Sequence, residues 1–202
     1  MSMSVSYLRV AADHIKLLQK DPSDALDDLN LKADYPDENT AVGLILQNLP
    51  GDIEELNLND TRWLAWLLWP AVFEDAPAPP ALDLPLAAIL GGPAPTEGRD
   101  AVRVPALDFG LGEGRAFDPA TVQKLSKALS QIIPDDLLRN FDYDAMQGIG
   151  LPGFGVPGPY NEEERATEER LARESVGYEL WQLQEFYRRA ADSGQYVIVY
   201  WK

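Results

Sequence analysis

The side chains that could do chemistry are few in this chain and unevenly placed. There is no cysteine and a single histidine among 202 residues. Thiol catalysis, zinc thiolate sites and disulfides are therefore excluded. His14 stands beside Asp13 in a charged stretch. One imidazole cannot build a histidine-rich metal site; it could serve as a catalytic base, but with charged neighbours on a surface helix it is expected to be an ordinary exposed side chain. No phosphate-binding loop, Gly-x-Ser-x-Gly elbow or His-Glu-x-x-His helix occurs. Gly110-Leu-Gly-Glu-Gly114 looks like a phosphate cradle. Its glycine spacing and the strand expected after it are wrong, however, and Glu113 would repel the ligand. Asp142 and Asp144 flank Tyr143, but two acids are too few to hold a divalent cation tightly. The more informative group is Asp108, Glu113 and Arg115, acid and base close together around a glycine turn. With Trp66 and with Phe154 from a glycine-rich segment, they would line a small-molecule or hydrolytic pocket. The plainer reading is a salt-bridged loop. No metal or cofactor is expected.

Charge gives a second, independent signal. Thirty-three acids against 17 bases leave a net charge of −16. The excess is local: residues 21–60 hold eleven acids, Asp27, Asp28, Asp37 and Glu38 among them, against Lys32 alone. A surface of this sign does not grip nucleic acid or anionic lipid, and a basic protein partner fits it. Immunity-type inhibitors of basic toxins use the same electrostatic logic. The plainer reading is a solvated acidic face that maintains solubility. No apolar run reaches the 18 or so residues that a membrane span needs, and the first residues do not read as a secretion signal, so the cytoplasm is the expected compartment.

The elements that must position these residues are legible from periodicity. Residues 3–9 alternate (Met3, Val5 and Tyr7 against Ser4, Ser6 and Leu8) and read as a strand. A short helix over Ala12–Lys20 is closed by Asp21-Pro22, and Ser23–Leu31 and Asn39–Leu49 read as helices. Thr61–Phe73 is apolar nearly all round, with Trp63, Trp66 and Trp69 near one face. That suits a buried central helix, and a stacking platform for sugars or rings is the alternative. Glu74–Pro80 reads as a linker, Pro85–Leu90 as a short helix and 96–113 as irregular. A strand is expected around Gly114–Phe117, and Asp118-Pro119 opens a helix carrying Val122, Leu125, Ala128, Leu129 and Ile132. Pro134-Asp135-Asp136 starts another short helix. Gly148–Tyr160 has no periodicity, and Asn161 caps a charged helix over Glu162–Glu174.

From Val176 onward Val176, Leu180, Leu183, Tyr187, Ala190 and Ala191 share one helical stripe, ended by Asp192-Ser193-Gly194. The last segment, Tyr196–Trp201, is apolar on both faces, which places it inside a sheet or under cover on both sides. It is expected to pair with residues 3–9. Tyr178 and Trp181 fall on the opposite side of this helix from the stripe. The Gly148–Tyr160 segment is expected to fold over them; otherwise they form an aromatic pair on a partner-binding surface.

Met-Ser-Met-Ser-Val-Ser-Tyr-Leu-Arg-Val at the start resembles the opening of the YfbM-like bacterial family of unknown function. So do Leu86-Ala-Ala-Ile-Leu-Gly-Gly92, Gly114-Arg-Ala-Phe with the Asp118-Pro helix, and the aromatic helix with its apolar final strand. Where that family has Lys-x-Trp and histidines, this chain has Arg62-Trp63 and no histidine, so histidine chemistry does not carry over. The resemblance implies a fold and a bacterial, cytoplasmic setting, and no activity. The expectation is one α+β domain over 1–202. Its small, mostly antiparallel sheet is built from the N-terminal, central and C-terminal strands and surrounded by helices. Its expected role is non-catalytic binding of a basic protein, with the pocket as the alternative.

Overall fold

The structure is a computed structural model that describes residues 5–18, 53–58, 61–73, 78–91, 101–108, 113–148 and 161–201; at 18, 73, 101–108, 113, 114 and 201 it describes the backbone alone. The helices expected at Ser23–Leu31 and Asn39–Leu49, and residues 149–160, lie outside it.

Among the described residues five strands form one antiparallel sheet: β1 (Val5–Val10), β2 (Glu54–Leu58), β3 (Ala101–Asp108), β4 (Glu113–Phe117) and β5 (Tyr196–Trp201), in the order β2-β1-β5-β4-β3. The two expected neighbours are paired, from Val5 opposite Trp201 to Val10 opposite Tyr196. The central strand joins on the other side, with Arg115 opposite Val199. This is the expected α+β architecture with two further strands at the edges. The segment expected to be irregular contains β3, which pairs with β4 through a shifted register between Arg103 and Asp108.

Strand alternation sorts the sheet into two faces. Val5, Tyr7, Leu58, Phe117, Val197 and Val199 point to one side and join the main core. Ser6, Leu8, Val10, Ala116, Ile198 and Tyr200 point to the other and are buried as well. Covered on both faces, β5 can be apolar throughout.

The helices on the core side are α2 (Arg62–Leu68), α3 (Asp83–Leu90), α4 (Pro119–Leu129), α5 (Pro134–Leu138), α6 (Tyr143–Gly148) and α7 (Glu162–Asp192); α1 (Ala12–Leu18) follows β1. α2 buries Trp63, Leu64, Ala65, Trp66 and Leu67. Each large side chain among them contributes about 1.5–3 kcal/mol by leaving water. The α-helix stops earlier than expected. Trp69, which precedes Pro70, is extended, because proline disfavours the helical region for the residue before it, and a 3-10 turn over Pro70–Phe73 follows. The tryptophan row is therefore core packing.

Helix C-termini leave carbonyls without intrahelical donors, and here side chains from distant elements supply them. For α3, Tyr7 Oη donates to the Ile89 carbonyl at 2.5 Å, Thr61 Oγ1 to the same oxygen at 3.3 Å, and Tyr187 Oη to the Ala88 carbonyl at 3.0 Å. Gln184 Nε2 serves the end of α4 through Leu129 and Ile132 at 2.8 and 3.0 Å, and Asn140 Nδ2 serves α2 through Leu67 at 2.8 Å.

α7 corrects the expectation of two helices, running unbroken for 31 residues. Asn161 and Glu164 form a reciprocal capping box at 2.9 and 3.1 Å. Ion pairs Arg170–Glu174 and Arg173–Glu169, at 2.7 and 3.0 Å, support the charged half. Such pairs are worth about 0.3–0.5 kcal/mol each. Arg173 also lies 4.3 Å above the Phe141 ring. The far end closes as expected, with Gly194 left-handed at φ 61° and Gln195 N donating to the Ala190 carbonyl at 2.9 Å.

Candidate functional site

Three places emerge among the described residues where functional side chains could act: the outward face of α7 and each of the two ends of the sheet. On α7, the stripe that buries Val176, Leu180, Leu183, Phe186, Tyr187 and Ala190 leaves Tyr178 and Trp181 on the opposite side, 59% and 56% exposed. The expectation that they are covered is thus not met. Their rings stack at 5.9 Å between centroids and 26° between planes, which matches the offset arrangement aromatic pairs prefer. Leu171, 45% exposed, lies on the same side two turns earlier. Beyond Trp181, Arg188 bridges Glu185 and Asp192, each at 2.6 Å. Hydrogen bonding to Arg188 holds the Glu185 carboxyl below the usual range, and the same contact raises the Arg188 guanidinium.

At the β2 edge of the sheet, charge converges on Glu54. Arg9 Nη2 reaches its carboxylate at 2.7 Å and Arg189 Nη2 binds the other oxygen, while Gln195 accepts from Arg9 at 3.2 Å. On the opposite face Tyr200 donates to Glu55 at 2.6 Å, and Ser6 donates to Asn57. Burial, then the Glu55 carboxylate, pushes the Tyr200 phenol well above its ordinary value. The sequence reading missed this polar ring. Its signal was the period-two run Glu55-Leu-Asn-Leu58, which marks β2.

At the other end of the sheet, Asp108 and Glu113 are Cα partners across the β3–β4 hairpin. Arg115, two residues further, donates through Nη1 to the Gly91 carbonyl at 3.4 Å, against the end of α3. Trp66 is buried among the α2 core residues. The strand pairing thus sets the Asp108 and Glu113 backbones opposite each other, Arg115 reaches the end of α3, and Trp66 belongs to the core. Phe154, Asp27, Asp28, Asp37 and Glu38 lie outside the described residues.

The remaining candidates have structural employment. Asp142 accepts from Ala145 N at 3.0 Å and so caps α6, while Asp144 pairs with Arg165. These are turn and surface roles. His14 is half-buried rather than exposed, and its Nδ1 is shielded from solvent with no hydrogen-bond partner among the described residues. Among the described residues no group of three or more histidine, aspartate or glutamate side chains is placed to hold a metal ion, and no helix is long and apolar enough to cross a membrane.

The sequence profile described as "Domain of unknown function (DUF1877)" matches residues 82–200, from α3 through β5. The chain belongs to the DUF1877 family. The matched span covers the central hairpin, α4, α7 and β5, so the DUF1877 core holds three of the five strands and the aromatic helix. The fold is similar to that of the Escherichia coli protein YfbM, reported as a crystal structure of a protein of unknown function. The TM-score is 0.58 at 14% identity, over 97% of this chain and 98% of that one. At that identity the likeness concerns the fold. No curated protein matches the chain.

Proposed function

We propose that this DUF1877 protein is a non-catalytic binding protein of the bacterial cytoplasm that engages a basic protein partner through the acidic segment 21–60. The observation that carries this reading is the charge distribution, eleven acids against one base in that segment within a chain of net charge −16. Two of those acids, Glu54 and Glu55, are already answered by Arg9, Arg189 and Tyr200 within the fold. Asp27, Asp28, Asp37 and Glu38 are the proposed contacts. A charged surface of this kind contributes mainly to association rate and partner choice, so the complex is expected to be salt-sensitive.

The test is affinity capture from a native bacterial lysate at 50 and 500 mM NaCl, with the wild type and an Asp27→Asn, Asp28→Asn, Asp37→Asn, Glu38→Gln variant. The expected result is a basic protein retained at low salt, released at high salt and lost with the variant. Recovery of no basic protein at low salt refutes the reading. A small-molecule-binding or hydrolytic site at residues 108–115 is supported only by the facing of Asp108 and Glu113, and the burial of Trp66 counts against that residue's share in it.

A further inference from the structure

We propose that α7 is jointed at Gly177, and that the charged half before the joint opens as a strap while the half after it stays docked. The two halves meet the fold differently. Every residue from Glu162 to Glu168 is exposed, on all sides of about two turns, and the first buried residue of the helix is Val176. Beyond Gly177 the helix buries Glu179, Leu180, Leu183, Phe186, Tyr187 and Ala190. Glu179 also accepts from Trp63 Nε1 at 2.8 Å, which pins the second half to α2 at its start.

The first half is held by weaker means. Arg165 pairs with Asp144 of α6, Arg173 lies 4.3 Å above the Phe141 ring, and Ala172 is partly buried against the core. An exposed ion pair and a single cation–π contact are among the weaker interactions of a folded protein. Two further pairs, Arg170–Glu174 and Arg173–Glu169, lie within the helix and tie nothing to the body of the fold. A helix of ~12–15 residues is marginal in water without an apolar face to bury. Few buried contacts and solvent-exposed backbone hydrogen bonds are the marks of a segment that opens locally.

Gly177 sets where opening stops. Glycine inside a helix is ordinarily required by a close approach or a left-handed backbone, and neither holds here. A Cβ at Gly177 would meet nothing within 4 Å, and its φ is not positive. What glycine does at this position is favour leaving the helix, by about four- to five-fold in the opening equilibrium relative to alanine. It stands between Val176, the first buried side chain, and Glu179, the first anchor. Opening up to this joint lifts Arg173 from Phe141, only 7% exposed in the closed fold, and separates α6 from Arg165. The strap thus covers an aromatic ring that is offered only when the helix yields.

None of this rests on the acidic segment 21–60. Amide hydrogen exchange of the full chain at pH 7, resolved by NMR, is the test. Residues 166–175 should exchange at least about 100-fold faster than 179–190. Their rates should stay nearly flat up to about 1 M urea, because local opening exposes little surface, while those of 179–190 climb. Gly177→Ala, into open space, should slow 166–175 by about four- to five-fold. Equal protection and a shared urea dependence in the two halves overturn the proposal, since α7 then opens only with the whole fold. So does a Gly177→Ala protein in which 166–175 exchange as in the wild type, because opening then stops short of Gly177.

Discussion

Replacing Tyr187 by phenylalanine deletes one hydroxyl and keeps the ring, so it isolates a single hydrogen bond in the middle of the protein. Tyr187 is fully buried, packs edge-on against Tyr7 at 6.2 Å and donates to the Ala88 carbonyl at 3.0 Å. That carbonyl belongs to the last turn of α3. Losing the bond while leaving a buried acceptor costs about 1–3 kcal/mol. For a chain of this length the melting temperature should fall by about 2–12 °C. A pH arm makes the test specific. Burial raises the Tyr187 phenol well above its ordinary value, with the neighbouring Tyr7 adding to the shift. Below about pH 10 the phenol is protonated in both the folded and unfolded chains, and it adds no pH dependence. Above pH 10 the unfolded chain releases a proton that the folded chain retains. Wild type therefore loses about 1.4 kcal/mol of stability per pH unit through this residue. Tyr200 acts in the same direction and remains in the variant. Urea unfolding followed by circular dichroism, at pH 7 and from pH 9.5 to 11.5, should show a less stable Tyr187→Phe protein with a shallower alkaline slope. A loss below about 0.5 kcal/mol at pH 7, or an unchanged slope, refutes the reasoning.

Three further substitutions probe the frame. Gly91→Ala should destabilise by about 1–3 kcal/mol in urea melts, because Gly91 has φ 74° and an added Cβ would sit 3.1 Å from Val199 Cγ1. Asp118→Ala removes the 2.7 Å acceptor of Thr121 N at the start of α4 and should cost about 1 kcal/mol, with Asp118→Ser recovering most of it. Glu54→Gln leaves Arg9 and Arg189 facing a neutral amide and should cost about 1–2 kcal/mol at low salt, shrinking in 1 M NaCl.

What the sequence reveals and conceals here follows from burial. β1 and the inner stripe of α7 were legible because interior positions impose periodicity, as where Val5 and Tyr7 alternate with Ser6 and Leu8; β5 was legible as an unbroken apolar run, and Asp118-Pro119 announces α4 by cap chemistry alone. The edge strands escaped. β3 carries Pro105 and an irregular register, both tolerated only where one side of a strand is unpaired, so its residues read as loop. β2 is short and half polar because it too is an edge. The first half of α7 offers no apolar stripe; its continuity comes from the capping box and ion pairs, which a hydrophobic reading passes over. The candidate sites divided the same way. Exposure of Tyr178 and Trp181 depends on what else packs nearby, which spacing cannot tell, whereas the tryptophan row of α2 was identifiable as core because nearly its whole circumference is apolar.

The pairing of β1 with β5 also dictates when the protein can form. The middle of the sheet joins strands separated by roughly 190 residues. At about 5–20 residues per second a ribosome needs some 10–40 s to make the second after the first. Throughout that interval β1 has at most β2 as a ladder neighbour, and the apolar face of Val5 and Tyr7 has no β5 beside it. Nascent chains should therefore engage hydrophobic-binding chaperones, and ribosome profiling of chaperone-bound complexes should show occupancy persisting through the Tyr196–Trp201 codons.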